Sequence, residues 1–336
     1  TSFDQNLGAL NVSGASNLDA SFMNCTNFNN AGSSSINNWN VSNVVSFGSS
    51  DQGIFAGCTK FNQPLGNWNV SNTSIFLNMF NGAVIFNNGL ESGIANQLPW
   101  NTSSCTSMQN MFQNCTAFNS NLGTGTTPWD VSKVTNFGAM FNGASKFNNG
   151  DDSAPINSWN INTMSGVTMD SMFTQAPEFN RPIGSWNTSA VTNMYHMFFL
   201  ATTFNQPIGD WNVSNVIYMH YMFYGAAAFN QSLSNWERST VGNVSTLANV
   251  TLTSFMFQGA TIFNNGYASG IANQLPWNTS SCTSMGNMFA YAPAFNSNLG
   301  TGTTPWDVSK VTSFANMFYG ATKFNNGDDA APINNW

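Results

Sequence analysis

Charged side chains are scarce in this chain of 336 residues. Asp, Glu, Lys and Arg make up 6% of it, whereas about 25% is usual in globular domains, so Asn, Ser and Thr must supply most of the polar surface. The 7 basic and 14 acidic residues give a net charge of −7 and include no basic run, which argues against nucleic acid as a partner. No apolar segment approaches the roughly 20 residues that a membrane-spanning helix needs, so we expect no transmembrane segment.

Residues that carry chemistry are also few. The two histidines, His196 and His220, have no recurring Cys, Asp or Glu at metal-ligand spacing around them, and we interpret both as surface residues. The GxSxG, HExxH, P-loop and GxGxxG motifs are missing from the sequence. An acidic NNGDD loop occurs at Asp151–Asp152 and at Asp328–Asp329; its oxygens could bind calcium, although the EF-hand ligand pattern is missing. We therefore expect no catalytic residue, no cofactor, no assigned metal site and no enzymatic activity.

Internal repetition is what the chain has in abundance. With one Phe per unit as the marker, twelve units start 25 to 34 residues apart. A landmark at such intervals, with length changes confined to one part of the unit, predicts a solenoid of about twelve coils. The markers are Phe3, Phe28, Phe61, Phe86, Phe118, Phe147, Phe179, Phe204, Phe229, Phe263, Phe295 and Phe324.

A longer period lies on top of the coil period. Nearly identical segments start at Phe86 and Phe263, 177 residues apart, so six coils form a super-repeat. Recent duplication would explain the similarity of their loops, and a lateral contact shared by both copies would also preserve it. Because the chain begins at Thr1 and ends at Trp336 inside units, we expect residues 1–336 to form a single continuous solenoid that is a piece of a longer array.

Within a coil, the sequence predicts one helix or helical turn and one short strand. The stretch FNQPIG has apolar residues at alternate positions and suits a strand of three or four residues. In VTNMYHMFFLATTF the apolar residues recur at steps of three and four, which is typical of the apolar stripe of a helix. They are Val191, Met194, Met197, Phe198, Ala201 and Phe204. The predicted fold class is therefore α/β, a solenoid with right-handed coils of 25–34 residues.

The phrases FNQPLGNWNVSN, MFNGA and FNQPIGDWNVSN resemble the repeat of the BspA-like leucine-rich-repeat surface proteins, which is also found in mycoplasma surface lipoproteins. The resemblance extends over essentially every unit. It implies a leucine-rich-repeat-like solenoid in a secreted or cell-surface protein, often linked to adhesion. It implies no catalytic residue, because the family motif is a folding motif. Units of 33 and 34 residues depart from the family's regular length, which leaves the coil geometry there open.

Cysteine and tryptophan occupy fixed columns of the repeat. All five cysteines fall on the apolar stripe, where a free thiol acts as a small hydrophobe, and an odd number argues against a disulfide framework. Only Cys25 and Cys58 share a column in adjacent coils, so they alone could form a disulfide. The Trp column predicts a ladder of packed indoles; the alternative is a row of rings that grips a polysaccharide. Its members are Trp39, Trp68, Trp100, Trp129, Trp159, Trp186, Trp211, Trp236, Trp277, Trp306 and Trp336.

Sequons for N-linked glycans are abundant. Seven of them share the column that directly follows Trp or its stand-in, and among these Asn69, Asn187 and Asn212 are glycosylation candidates. Asp130 and Asp307 take the same place in other coils. Asp closes a turn as Asn does but cannot carry an N-glycan, so we predict that this column is structural first.

Three more candidates lie elsewhere in the repeat. Asn243 and Asn249 fall in the long insert of the Phe229 unit, where a loop can project freely. On a secretory route we therefore expect these two sites to be occupied more fully than the column after Trp. Asn72 is a further candidate.

Two classes of function remain. We expect an extracellular structural repeat protein that self-associates into a rod or filament on or from the cell surface. The alternative is a surface adhesin that binds a glycan or a host protein through one face of the ladder. Continuous fibres with an axial repeat in electron micrographs would favour the first, and monomeric rods that capture a ligand would favour the second.

Overall fold

The computed structural model describes residues 2–124, 127–151, 154–161, 163–164, 166–237, 247–301 and 304–328. The chain forms two compact units. Unit 1 consists of Thr1–Asn162 with Met172–Arg181, and unit 2 consists of Thr163–Ser171 with Pro182–Trp336. The same kind of coil builds both units.

Regular secondary structure in unit 1 is confined to short elements. The strands are β1 (Gly48–Ser49), β2 (Gln52–Gly53), β3 (Asn96–Leu98), β4 (Ser120–Thr124) and β5 (Thr127–Pro128). Strands β1 and β2 pair antiparallel, while β4 lies between a parallel β3 and an antiparallel β5. The α-helix α1 spans Ala154–Asn157. Short 3-10 helices span Asn30–Gly32, Ser34–Asn38 and Asn149–Asp151.

Unit 2 repeats this pattern with its own short strands. They are β6 (Val167–Thr168), β7 (Val191–Asn193), β8 (Asn273–Leu275), β9 (Ser297–Thr301) and β10 (Thr304–Pro305). Strands β6 and β7 pair parallel, and β9 lies between a parallel β8 and an antiparallel β10. The β8–β10 sheet copies the β3–β5 sheet at the 177-residue offset, so the super-repeat is present in the backbone as well as in the sequence. The 3-10 helices are Ser234–Glu237 and Asn326–Asp328. No helix in the described part of the chain is long and apolar enough to cross a membrane.

Successive coils lie side by side in parallel. In each unit, single-residue parallel bridges join one coil to the next in sequence order, and parallel neighbours are about 4.8 Å apart. In unit 1 the bridged residues are Asn17, Ser46, Ile75, Ser107 and Asn136. In unit 2 they are Asn193, Tyr218, Leu252, Ser284 and Ser313.

Two columns of phenylalanine form the core of each unit. Phe80 and Phe86 stack within one coil at a centroid distance of 3.9 Å, and Phe86 lies 5.9 Å from Phe118 of the next coil. Every marker Phe from Phe28 to Phe295 is fully buried. The repeat marker is therefore also the residue that aligns the coils, because each ring packs on its counterparts above and below.

Where the sequence predicts a helix or helical turn, the coil that contains Val191 has chained turns instead of an α-helix. In the coil that contains Val191, the residues from 195 to 200 form successive turns, and His196 and Leu200 have left-handed backbones with φ of 57° and 56°. Two left-handed residues four apart interrupt any α-helix. Backbone amides instead donate to the next coil, as Phe198 does to the Met222 carbonyl oxygen at 2.9 Å. The apolar spacing of three and four arises because each turn returns a side chain to the core.

The strand lies one segment earlier than predicted. The segment FNQPIG, residues 204–209, does not form a strand. Pro207 in its middle has no backbone N–H, so it cannot donate a hydrogen bond to a neighbouring strand. The parallel pairing falls at Val191–Asn193 instead. The prediction missed this because Thr192 and Asn193 are polar and break the apolar alternation that marks a half-buried strand.

Asparagine side chains join the coils where strands do not. Asn62 follows a marker Phe, and its N–H donates to Oδ1 of Asn29 in the preceding coil at 2.8 Å. Its own Oδ1 accepts the N–H groups of Asn87 at 2.8 Å and Gly89 at 2.9 Å in the next coil. In unit 2, the Asn230 N–H donates in the same way to Asn205 Oδ1 at 2.9 Å. These amides satisfy backbone donors that a continuous sheet would otherwise pair.

Candidate ligand-binding surface

The tryptophan column is a buried ladder, as its regular placement predicted. Trp129 is 1% exposed; its Nε1 donates to the Leu98 carbonyl oxygen of the preceding coil at 2.7 Å, and its ring lies 5.9 Å from that of Trp100. The ten tryptophans in the described residues are all buried, and Trp336 lies outside them. A row of indoles that grips a polysaccharide is therefore wrong, because the ring faces are covered.

The Asn or Asp that follows Trp closes a turn. Its Oδ1 accepts the N–H of the Ser two residues later, at 3.2 Å for Asn69, 3.1 Å for Asn187 and 3.0 Å for Asn212. Asp130 and Asp307 make the same bond at 2.9 Å. All five side chains are exposed. The predicted turn-closing role of this column is confirmed.

The other glycosylation candidates differ from the prediction. Asn249 is not on a freely projecting loop, because its Nδ2 donates to the Ser214 carbonyl oxygen of the preceding coil at 2.7 Å. Asn72 occupies the same column and donates to the Ser42 carbonyl oxygen at 2.7 Å. The insert has rejoined the stack by Leu247, which is buried. Asn243 lies outside the described residues.

The cysteines are core residues rather than reactive groups. All five are free thiols, so Cys25 and Cys58 form no disulfide here. The Cys58 thiol donates to the Phe22 carbonyl oxygen at 2.9 Å, and burial raises the pKa of Cys58 to about 12. Burial likewise raises the pKa of Cys105 to about 12. Because the thiolate is the nucleophile, such thiols are inert near neutral pH.

The first NNGDD loop is held by an arginine. Asp151 Oδ1 accepts a bond from Asn148 Nδ2 at 2.9 Å and lies 3.4 Å from Arg181 Nη2. Arg181 Nη1 also donates to the Asp151 carbonyl oxygen at 3.2 Å. No group of three or more His, Cys, Asp or Glu side chains in the described residues could hold a metal ion. Asp152 and Asp329 lie outside these residues.

Both histidines belong to a cluster of rings on unit 2, in which each is half-buried. Tyr195 lies 3.7 Å from His196 and 4.1 Å from His220 between ring centroids. Tyr221 stacks on Phe255 at 4.4 Å. We call the cluster the aromatic strip; it consists of Tyr195, His196, Phe199, Tyr218, His220, Tyr221, Tyr224 and Phe255. Tyr218 is 42% exposed, and the other members are half-buried.

The aromatic strip is uncharged at neutral pH. Burial, together with the neighbouring His220 imidazole, lowers the pKa of His196 to about 4. Burial also lowers the pKa of His220 and raises that of Tyr221. The remaining members are tyrosines and phenylalanines, so the strip presents flat rings bordered by hydroxyl and imidazole groups without formal charge.

The strip rests on backbone positions that suit other residues better. His196, Tyr221 and Phe255 have φ of 57°, 60° and 62°, a left-handed conformation that Asn tolerates and bulky side chains disfavour. The same column in the other coils holds smaller residues. They are Ala20, Asn78, Asn110, Ala139, Ser171, Asn287 and Asn316. Three successive coils of unit 2 thus carry a ring where an amide would fit the backbone with less strain.

An open groove adjoins the strip. It has a volume of about 530 Å³ and crosses four successive coils, which is about 14 Å at the spacing of parallel neighbours. Ile217, which lines the groove, and its chain neighbour Tyr218 of the strip are both exposed, at 37% and 42%. The groove is lined by Ala190, Thr192, Asn215, Ile217, Asn249, Thr251 and Ser281.

Sequence reasoning did not find this surface. Its signal is the phrases MYHMFF and YMHYMFY, where Tyr and His replace the Asn, Gln and Gly of other coils. Interpreted as a helix, each segment has its Tyr and His residues on a polar face. In the structure each segment is a series of turns, in which His196 and Tyr221 have left-handed backbones.

Comparison with known proteins gives one family. Residues 1–98, 94–167, 150–249 and 246–336 each match the family described as Mycoplasma protein of unknown function, DUF285. The four matches follow one another along the chain, which agrees with its internal repeats. Neither a curated protein nor a solved structure matches significantly.

Proposed function

Because this chain belongs to the DUF285 family of mycoplasma proteins along its whole length, we propose that it is a repeat protein of the BspA-like type that acts outside the cell as a binding module. In this proposal the stacked coils form a solenoid that serves as a rigid scaffold. The aromatic strip of unit 2 makes the contact with the ligand.

The observation that carries the proposal is the aromatic strip itself. Three of its eight rings occupy strained positions and all eight remain partly exposed, whereas the Phe and Trp columns already supply a buried core to the same coils. Strained backbone is common at functional sites, and exposed tyrosines are frequent among the residues that dominate binding interfaces. A role in stability alone would be served as well by Asn in the left-handed column.

The test is adhesion of the purified chain to cell surfaces. Labelled chain should bind to a susceptible cell line, and Tyr218→Ser together with Tyr221→Asn should reduce the bound amount at least tenfold. The matched control is Tyr267→Ser, because Tyr267 is a 50% exposed tyrosine of unit 2 that is not part of the strip. Equal binding by the strip variant and the wild-type chain would refute the proposed binding site.

A second candidate, a rod or filament subunit, is favoured by the bonds between coils. Each coil offers the same Asn acceptors to its neighbour, as Asn62 Oδ1 does to Asn87 and Gly89, so the stack has no built-in limit on its length. Electron microscopy of native material would test it. Fibres with an axial period near 29 Å, which is six coils at about 4.8 Å each, are expected, and globular particles without such a period would contradict it.

A further inference from the structure

We propose that the aromatic strip and the adjoining groove bind an uncharged glycan chain. This inference rests on the proposed binding function and names its ligand class. It follows from three properties of the two surfaces: their charge, their shape and their departure from the rest of the repeat.

The absence of cations sets the ligand class. Neither the strip nor the lining of the groove contains Lys or Arg, and both histidines are neutral near pH 7 because burial lowers their pKa. One coil before the strip, the column of Tyr195 and His220 holds a carboxylate, Asp170, which would repel an anionic ligand. A site for sulfated, phosphorylated or uronic-acid polymers would place cations against the ligand. A site without cations selects against such ligands, since their charge would lose hydration without gaining a partner.

The groove supplies polar groups at regular intervals. Asn215 comes from one coil, Asn249 and Thr251 come from the next, and the three carry amide and hydroxyl groups. Asn215 Nδ2 donates to the Ser189 carbonyl oxygen at 2.7 Å, so its position is fixed by the stack. Fixed donors and acceptors that recur coil by coil suit a polymer whose hydroxyl groups also recur along its length.

The strip supplies the flat surfaces. A sugar ring has an apolar face of C–H groups and a polar rim of hydroxyls, and a tyrosine offers a ring face and a hydroxyl in the same way. Tyr218 is exposed beside the groove, and its ring lies 6.2 Å from His220. A chain lying in the groove would therefore meet Tyr218 at the edge of the strip.

A protein ligand is the competing class, and the strip favours it less. Protein interfaces of this size usually pair apolar anchors with a rim of charged residues that guides the partner. The polar groups that the described residues of the strip and groove offer are hydroxyl, amide and imidazole groups, with no cation or carboxylate among them. An uncharged ligand that brings many hydroxyl groups matches this inventory better than a typical protein surface does.

The experiment is calorimetric titration of the full chain with defined hexasaccharides. Cellohexaose, laminarihexaose and mannohexaose serve as uncharged probes, and hexagalacturonate serves as the charged one. We expect at least one uncharged probe to bind with an affinity that does not change between 50 and 500 mM salt, roughly the range over which exposed charge interactions are screened. We expect hexagalacturonate to bind at least tenfold more weakly.

Matched variants separate binding from folding. Tyr221→Asn installs the residue that Asn110 and Asn287 hold in the same column, so the fold should tolerate it, and Tyr218→Ser removes an exposed ring. Each should weaken binding of the uncharged probe at least tenfold, while Tyr267→Ser should leave it unchanged. Circular dichroism should show the same thermal transition for the exposed-site variants as for the wild-type chain.

Failure of this inference is distinguishable from failure of the proposed function. If strip variants abolish cell binding but no uncharged hexasaccharide binds, and periodate oxidation of the cell surface leaves adhesion intact, the ligand class is wrong and the binding function stands. If hexagalacturonate binds best and salt weakens it, the charge argument is wrong. If strip variants keep full adhesion, both proposals fail.

Discussion

Removal of one asparagine side chain should uncouple two coils, and Asn119 is the clearest case. Its Oδ1 accepts the N–H groups of Asn148 at 2.8 Å and Gly150 at 3.1 Å, and its Nδ2 donates to the Gly93 carbonyl oxygen at 3.1 Å. The side chain is 3% exposed. In Asn119→Ala, three hydrogen bonds disappear from a site that water does not reach freely.

The expected loss follows from these three bonds. Each contributes about 1 kcal/mol net, and a buried donor left without a partner costs about 1 to 3 kcal/mol. We therefore expect Asn119→Ala to lower the free energy of unfolding of unit 1 by about 3 to 5 kcal/mol. In the first coil, Asp4 holds the place of Asn119, and its Oδ1 accepts the N–H groups of Asn29 and Ala31 at 2.8 and 2.7 Å. Because Asp has no side-chain N–H, the oxygen acceptor matters more at this place than the Nδ2 donor.

The assay is urea unfolding followed by tryptophan fluorescence, with amide hydrogen exchange at Asn148 and Gly150 as a local readout. Asn142→Ala is the matched control, since the Asn142 side chain makes no hydrogen bond within the described residues, and its change should stay within about 0.5 kcal/mol. Asn296→Ala should reproduce the loss in unit 2, because Asn296 Oδ1 accepts from Asn325 at 2.7 Å. A loss below about 1 kcal/mol at Asn119, or equal losses at Asn119 and Asn142, would refute the reasoning.

Three further predictions concern the core, the pH dependence and the thiols. Phe204→Ala should cost about 3 to 5 kcal/mol in urea unfolding, because Phe204 is fully buried and stacks on Phe198 at 3.9 Å; a loss under 1 kcal/mol would contradict the alignment of the coils. Burial holds the pKa of His196 at about 4 in the fold, below the ordinary histidine value of 6.5. Between these values the unfolded chain binds more protons, so stability should fall as the pH drops from 6.5 towards 4. Thermal unfolding at pH 7, 5 and 4 should show a smaller decline for His196→Asn. In maleimide labelling of the native chain, half-buried Cys25 should react before buried Cys115, and the reverse order would contradict the burial.

The repeat and its core were readable from the sequence because burial leaves a periodic mark. The marker Phe and the Trp recur at fixed places in successive coils, and the structure buries the marker Phe residues from Phe28 to Phe295 and the ten described Trp residues. The apolar spacing does not distinguish a helix from chained turns, because both return a side chain to the core every three or four residues. The distinguishing mark is Asn or Gly at two positions four apart, as at Asn78 and Gly82, which are both left-handed.

The candidate binding surface escaped prediction for a related reason. His196 and Tyr221 hold the same column of adjacent coils, and their rings lie 4.8 Å apart. The surface interpretation considered the two histidines without the tyrosines of the neighbouring coil. The Trp column, in contrast, was correctly predicted to be a ladder, since regular placement in every coil is typical of a packing role and a ligand site has no need to recur in all of them.

Glycosylation of the chain offers a test of the ladder geometry, in a secretory host that attaches N-linked glycans. Asn187 is exposed, and its Oδ1 makes the turn bond at 3.1 Å, while no described residue accepts a bond from its Nδ2. Asn249 uses Nδ2 to donate to Ser214 at 2.7 Å. A sugar replaces one N–H of that atom, so it fits the fold at Asn187 and competes with the coil contact at Asn249.

We therefore expect secreted, folded chains to be more fully glycosylated at Asn187 than at Asn249, which reverses the order expected from sequence. Site-resolved glycopeptide mass spectrometry measures the two occupancies. Asn187→Gln and Asn249→Gln chains, each produced with and without N-linked glycosylation and then melted, isolate each sugar while keeping the amide of the unglycosylated Asn intact. The glycan should lower the melting temperature where Asn249 carries it and leave it unchanged where Asn187 does, because only the Asn249 amide joins two coils. A fully occupied Asn249 with no effect on melting would show that the amide contact contributes nothing to the stack.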